Sequence, residues 1–447
     1  MSASGARSAP STVRVAALLG SLVALTVIGS SAVAVALPVL SADLGLDPSG
    51  AAWVLAAFAL TLSVGTAIFG RLADILGLRL PLRIGALLFA AGSLLAAFSW
   101  SFPSAVIGRL IQGAGAGAVP VLAVAIVSAR FSHAARGRAL GSLTATVTIV
   151  SSSGPLIGGA LTQLISWRAV LVLPAAALAL AEPVARLAPA GRGSGGSIDL
   201  VGALLVTASV AGVALVLQGP ALGGGALLLA GVAAGAATLF ALLARHIRRR
   251  PWGFLPREIV SNRRLVTASL IGMATIAAYI AALFALPKIL TEMHGWTPLQ
   301  IGLGMLPGGV FGAVVSRVSG GLAAKVPRAK LVAVMAACST LGVAIAAAGA
   351  GTPVVLLGAF GLVVAGFGGG QVALVDALPG YVRPGVQGIA LGTFNLIFFT
   401  GGAIGASVAG GFADMLGLAG ALAVVGILPA AGVLATRVLR VAPQPPP

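Results

Sequence analysis

The sequence predicts an all-α integral membrane protein: 14 transmembrane helices, set as two six-helix, pseudo-symmetric bundles with an inserted two-helix hairpin. Three observations carry that expectation. Of 447 residues, 59% are hydrophobic and 8% charged, with mean hydropathy +1.10, whereas a soluble domain carries roughly a quarter charged residues. Most of the surface must therefore face lipid. Fourteen apolar windows approach or exceed the about 20 residues that cross ~30 Å of hydrocarbon. The basic residues between those windows fall on alternate loops, as membrane topology demands. Disorder is excluded by the hydrophobicity, and collagen-like order by the lack of a three-residue glycine period despite 63 glycines.

In chain order the windows cover residues 15–40, 51–70, 84–100, 104–128, 139–164, 169–185, 200–217, 225–244, 266–289, 298–316, 331–350, 354–376, 386–411 and 417–437. Arg7 and Arg14 precede the first window, which resembles a signal peptide until its length is weighed. It exceeds the ~7–15 residues of a signal core, so it is read as an uncleaved first helix. The chain then divides into a cytoplasmic tail (1–14), a first six-helix bundle (15–185), a Gly, Ser and Pro-rich cytoplasmic linker (186–199) and a helix pair (200–244). A basic cytoplasmic linker (245–265), a second six-helix bundle (266–437) and a Pro-rich cytoplasmic tail (438–447) complete it.

With the N-terminus inside, all 27 basic residues but Arg109, Arg168 and Lys288 lie on the cytoplasmic side. Asp43, Asp47, Glu292 and Asp414 then sit outside, and an odd number of spans would break the pattern. The net charge of +18 thus follows from topology and contact with anionic lipid, and implies no nucleic-acid partner. Membrane lipids and small hydrophobic molecules are the expected partners, and a monomer the expected state. The segment Gly70-Arg71-Leu72-Ala73-Asp74 is echoed by Gly320-Gly321-Leu322-Ala323-Ala324 at the equivalent place in the second bundle. Such duplication suits a transporter.

Three segments carry chemistry. Gly70, Asp74, Gly77 and Arg79 follow the second window, where glycines admit close helix approach and Asp74 can latch a neighbouring helix end or arginine. The same residues would also serve a solvated turn. Arg109 lies about 8 Å inside the fourth window, where an unpaired guanidinium is costly and must meet protein or water. It would bias a nearby acid or a water chain, or hold helix ends together. Gly154, Pro155, Gly158 and Gly159 combine a kink with bare backbone for tight packing in the fifth window.

These segments resemble the major facilitator superfamily: its signature loop (with Ile75 and Leu78 in place of basic residues, a softer latch), its helix-4 arginine motif and its antiporter motif of helix 5. With fourteen spans the chain is most similar to the drug:proton antiporter branch, and within it to the Gram-positive tetracycline-efflux type, on Trp53 to Gly70, Arg109 to Gly117, and Lys288 to Pro307. The resemblance implies a secondary active exporter of hydrophobic drugs or natural products, driven by a proton gradient with no bound cofactor. It further implies a cavity lined by helices 1, 4, 9 and 12, with Thr26, Ser30, Gln112, Tyr279, Phe367 and Gln371 as wall residues. Ser151 and Asn395 stand where related exporters carry acidic or amide groups.

The departure concerns acids, because only a titratable group couples a proton to a drug. Asp376, at the inner end of helix 12, is the one intramembrane candidate, and pairing with Arg383 is its alternative role. Arg109 and Lys288 would make a central cavity weakly positive, unless Lys288 snorkels to the headgroups. Neutral, zwitterionic or anionic hydrophobic substrates are thus expected over dications. An uncoupled carrier of the same fold, or a degenerate transporter acting as sensor or scaffold, are the alternatives. No enzyme is expected: there is no phosphate loop, and His133, His246 and His294 lie on different loops with no metal constellation. Cys338 alone can form no internal disulfide.

Overall fold

The computed structural model describes residues 12–131, 133–189, 191, 193, 195, 199–219, 226–322, 325–349, 351–383 and 386–439. They form fourteen long helices: α1 Thr12–Leu44, α2 Pro48–Leu76, α3 Arg79–Ala97, α4 Phe102–Arg130, α5 His133–Leu164, α6 Trp167–Leu187, α7 Leu200–Gln218, α8 Ala226–Arg249, α9 Arg263–His294, α10 Pro298–Leu322, α11 Arg328–Ala348, α12 Pro353–Ala377, α13 Gln387–Gly411 and α14 Ala413–Ala435. Thirteen are long and apolar enough to cross a membrane by length and composition. The other, α5, has 32 residues.

Local chemistry sets the helix ends. Asp47 accepts the Gly50 amide at 2.6 Å and Pro48 pre-sets φ at the start of α2. Ser101 and Ser104 form a reciprocal cap on α4, and Thr297 with Gln300 another on α10. Gly295 closes α9 at φ 65°, with the Trp296 amide reaching back to the Leu290 carbonyl. A break at Gly417 (φ 67°) means α14 runs helically only after a short initial turn.

Within the first bundle α1 packs on α5, and α4 on α2 and α3; in the second, α9 packs on α13 and α14, and α12 on α10 and α11. Two seams join the bundles, α2 with α13 and α5 with α10. They are equivalent under exchange of the halves, as pseudo-twofold symmetry requires. Along α2 and α13, Ala52 meets Gly410 and Ala59 meets Gly402, with the Thr400 hydroxyl 3.5 Å from that of Ser63. Along α5 and α10, Gln163 accepts the Leu299 amide and the Ser152 hydroxyl donates to the Gly309 carbonyl. These contacts fall from the midplane toward the face that carries Asp43, Asp47, Glu292 and Asp414, so the halves are sealed there.

The pair α7 and α8 lies outside the seams. Only Ala236 and Leu243 of α8 are buried among the described residues, leaving its apolar flank to lipid. Gln218, wholly buried at the end of α7, accepts from Ser49 and donates to Ser407, pinning the pair to α2 and α13.

Candidate functional site

Arg109 is the largest fully buried side chain. Its Nε donates to the Val54 carbonyl at 2.8 Å, and its Nη1 to the Gly29 carbonyl at 2.9 Å and to Gln112 Oε1 at 2.5 Å. Gln112 Nε2 donates onward to Ser93 at 2.8 Å. The guanidinium carbon stands 4.3 Å from the centre of the Phe58 ring. One residue therefore ties α1, α2, α3 and α4 together through neutral groups. Its Nη2 has no partner, and no carboxylate touches it among the described residues. Burying an unopposed charge is costly, and here only neutral acceptors and the Phe58 ring face offset it.

The helix-5 motif sits where α1, α5 and α10 meet. A side chain on Gly154 or Gly158 would strike Ser31 or the Ala32 backbone of α1, and one on Gly159 the Pro298 carbonyl of α10. Pro155 presents its carbonyl to Gly302 of α10. Gly154 and Gly158 thus close α5 onto α1 within the first half, and Pro155 and Gly159 lie where the two halves touch.

The expected latch loop needs correction. Gly70 to Leu76 are helical, because the apolar spacing of α2 continues past Gly70, and only Gly77 (φ 79°) and Leu78 break the chain. Asp74 is exposed on the last turn. Arg71 donates to the Gly253 carbonyl and Arg79 to the Ala188 carbonyl, so the end of α2 and the start of α3 grip both linkers.

Two charged positions also stand elsewhere than expected. Asp376 is exposed and pairs with Arg328 across α11 and α12 at 2.7 Å, while Arg383 pairs with Glu258 at 2.8 Å. Lys288 faces Glu292 at 3.4 Å and lines a cavity of about 520 Å³ with Glu292 and Asp414 at the acidic face. It adds no positive charge beside Arg109. Of the expected wall residues, Thr26 is spent on the Val23 carbonyl of its own helix, and Ser30 is half-buried. The side chain of Ser151 lies outside the described residues. Tyr279 and Phe367 stack nearly parallel, with centroids 4.5 Å apart, and Phe367 continues to Phe398 at 6.1 Å. Gln371 and Asn395 are half-buried beside that ladder.

Sequence reasoning missed Asp199. Its carboxylate accepts from the Gly202 and Phe254 amides and from His246 at 2.8 Å, with Arg250 at 3.9 Å. Burial raises its pKa, but those hydrogen bonds outweigh burial and hold it below the ordinary carboxylate value. An acid just before an apolar run is the signal that could have marked it as a helix cap.

Comparison with known proteins agrees with the fold. The chain is 32% identical over 401 residues to the cephamycin export protein CmcT of Amycolatopsis lactamdurans, covering 86% of this chain and 81% of that protein. It is 30% identical over 300 residues to the multidrug resistance protein Stp of Mycobacterium tuberculosis, covering 65% of this chain and 55% of that protein. The fold matches the human organic anion transporter MFSD10 (TETRAN) with TM-score 0.63 at 16% identity, over 96% of this chain and all of that one. It also matches a POT family transporter with TM-score 0.69 at 13% identity, over 96% and 95% of the two chains. Residues 19–406 fit the profile of the Major Facilitator Superfamily, and the protein is a multi-pass membrane transporter of that superfamily.

Proposed function

We propose that this transporter exports hydrophobic drugs or natural products from the cytoplasm by proton-driven alternating access, with both termini inside, and that its substrates are neutral, zwitterionic or anionic. The carrying observation is Arg109, wholly buried with Nη2 unpartnered and no carboxylate in contact among the described residues. A dication brought near this uncompensated charge would be repelled rather than held. The relatives named for antibiotic export support the direction, and the seal at the acidic face fits a state open toward the cytoplasm. The test is resistance conferred on a drug-sensitised host. Protection against neutral or anionic compounds exceeding that against lipophilic dications is expected, and the reverse order would overturn the reading.

A second reading, an uncoupled or differently coupled carrier, is favoured by the exposed pairing of Asp376 with Arg328. That pairing leaves no intramembrane carboxylate assigned to carry a proton.

A further inference from the structure

On α9, residues 274–278 and 280–287 are all buried, and Tyr279 between them keeps partial exposure. The helix is packed by α1, α12, α13 and α14. A partly exposed residue on a helix whose neighbouring positions are buried all round faces interior space, not lipid. Phe367 lies against that ring at 4.5 Å and 3°, Phe398 continues the stack, and Phe399 meets Phe398 edge-on at 5.1 Å. Gln371 lies one turn beyond Phe367 on α12, and Asn395 one turn before Phe398 and Phe399 on α13, so each amide shares a face with the rings. Both amides are half-buried, and among the described residues neither they nor the Tyr279 hydroxyl hydrogen-bond to a protein partner. All these residues lie from the midplane toward the basic face, where the halves carry none of the sealing contacts named above.

Resting on the export reading, we infer that Tyr279, Phe367, Gln371, Asn395 and Phe399 form a substrate subsite for planar aromatic molecules bearing neutral oxygen functions, such as phenols, quinones or carboxamides. Flat ring faces select flat conjugated ligands by offset or edge-on stacking. The centroid spacing of 4.5 Å leaves no room for a ring between Tyr279 and Phe367, because each face needs ~3.5–4.0 Å of carbon contact. The ligand therefore lies on the open side of the stack, its edge toward the two amides and the phenol. An amide both donates and accepts, so it pairs with a phenol or a carbonyl alike. None of the five residues is charged, so the subsite does not select by charge.

The test measures binding separately from transport. A fluorescent hydroxyanthraquinone is titrated against the full-length protein in detergent, with a saturated neutral steroid as competitor of similar size, and both are then followed in energised everted vesicles. Phe367→Leu, which keeps bulk and removes the ring, is expected to weaken anthraquinone binding about 3- to 10-fold and leave steroid competition unchanged. Tyr279→Phe and Asn395→Leu are expected to weaken only the oxygenated ligand and not anthracene. Unchanged thermal midpoints identify the variants as folded. No anthraquinone binding by the wild-type protein, or equal losses for anthraquinone and steroid, would overturn the subsite. Binding that behaves as expected without vesicle transport would uphold the subsite and count against the export reading.

Discussion

Arg109 concentrates the chemistry of this chain in one side chain. Its forked guanidinium reaches carbonyls on α1 and α2 and the Gln112 amide at once, a geometry that a single ammonium cannot copy. Arg109→Lys is therefore expected to lose most transport although the charge remains, as substrate flux in vesicles would show. Arg109→Ala additionally removes a donor from three buried acceptors; the two helical carbonyls keep their own-helix amides, and Gln112 Oε1 is left unsatisfied at a cost of about 1–3 kcal/mol. A lowered thermal midpoint in detergent is the expected sign, and an unchanged one would contradict the network. The sequence marked Arg109 and Gln112 because a polar residue inside an apolar window must have a use. It could not rank partners across helices, which is why Arg383 is the alternative partner it offers Asp376 and Arg328 the one found.

Among the elements, α5 and the α7–α8 pair make different demands. Gly158 lets α5 lie on the backbone of Ala32, so Gly158→Leu forces the helices apart and should cost about 1–3 kcal/mol of packing. Transport falling while Ala160→Leu on the same helix is tolerated would confirm that the contact, not helix propensity, is responsible. The hairpin is held by Asp199 at the start of α7 and His246 near the end of α8. Because the folded pKa of Asp199 is depressed, its stabilising contribution is present above the ordinary value of 3.8 and is lost as pH falls from there through the folded value. Asp199→Ala should thus expose the arginines of the 245–265 linker to trypsin several-fold faster at neutral pH. Equal cleavage rates at neutral pH would contradict the tie. The fourteen spans were legible because each apolar window is long. The end of α2 was not: Gly70 reads as a stop in the sequence, yet a glycine packed on Val121 is tolerated inside a helix.

As a whole molecule, the protein joins its halves by two equivalent seams closed at the acidic face, with the lipid-facing pair α7 and α8 at the flank. Orientation was read from arginine and lysine placement alone, and it predicts which side reagents reach. In a Cys338→Ser background, Glu292→Cys in intact cells should react with an impermeant maleimide, and Arg250→Cys only after the membrane is opened; the converse pattern would invert the topology. The aromatic ladder shows the reach of the sequence at this scale. Tyr279 and Phe367 were expected as wall residues, but their contact depends on how α9 and α12 cross, which no local pattern encodes.

The central claim, that export is proton-driven and depends on Arg109, is tested most directly in everted vesicles supplied with a fluorescent neutral drug. Uptake that collapses with the pH gradient and is lost in Arg109→Ala is the predicted result. Uptake indifferent to the gradient, or undiminished in the variant, would contradict it.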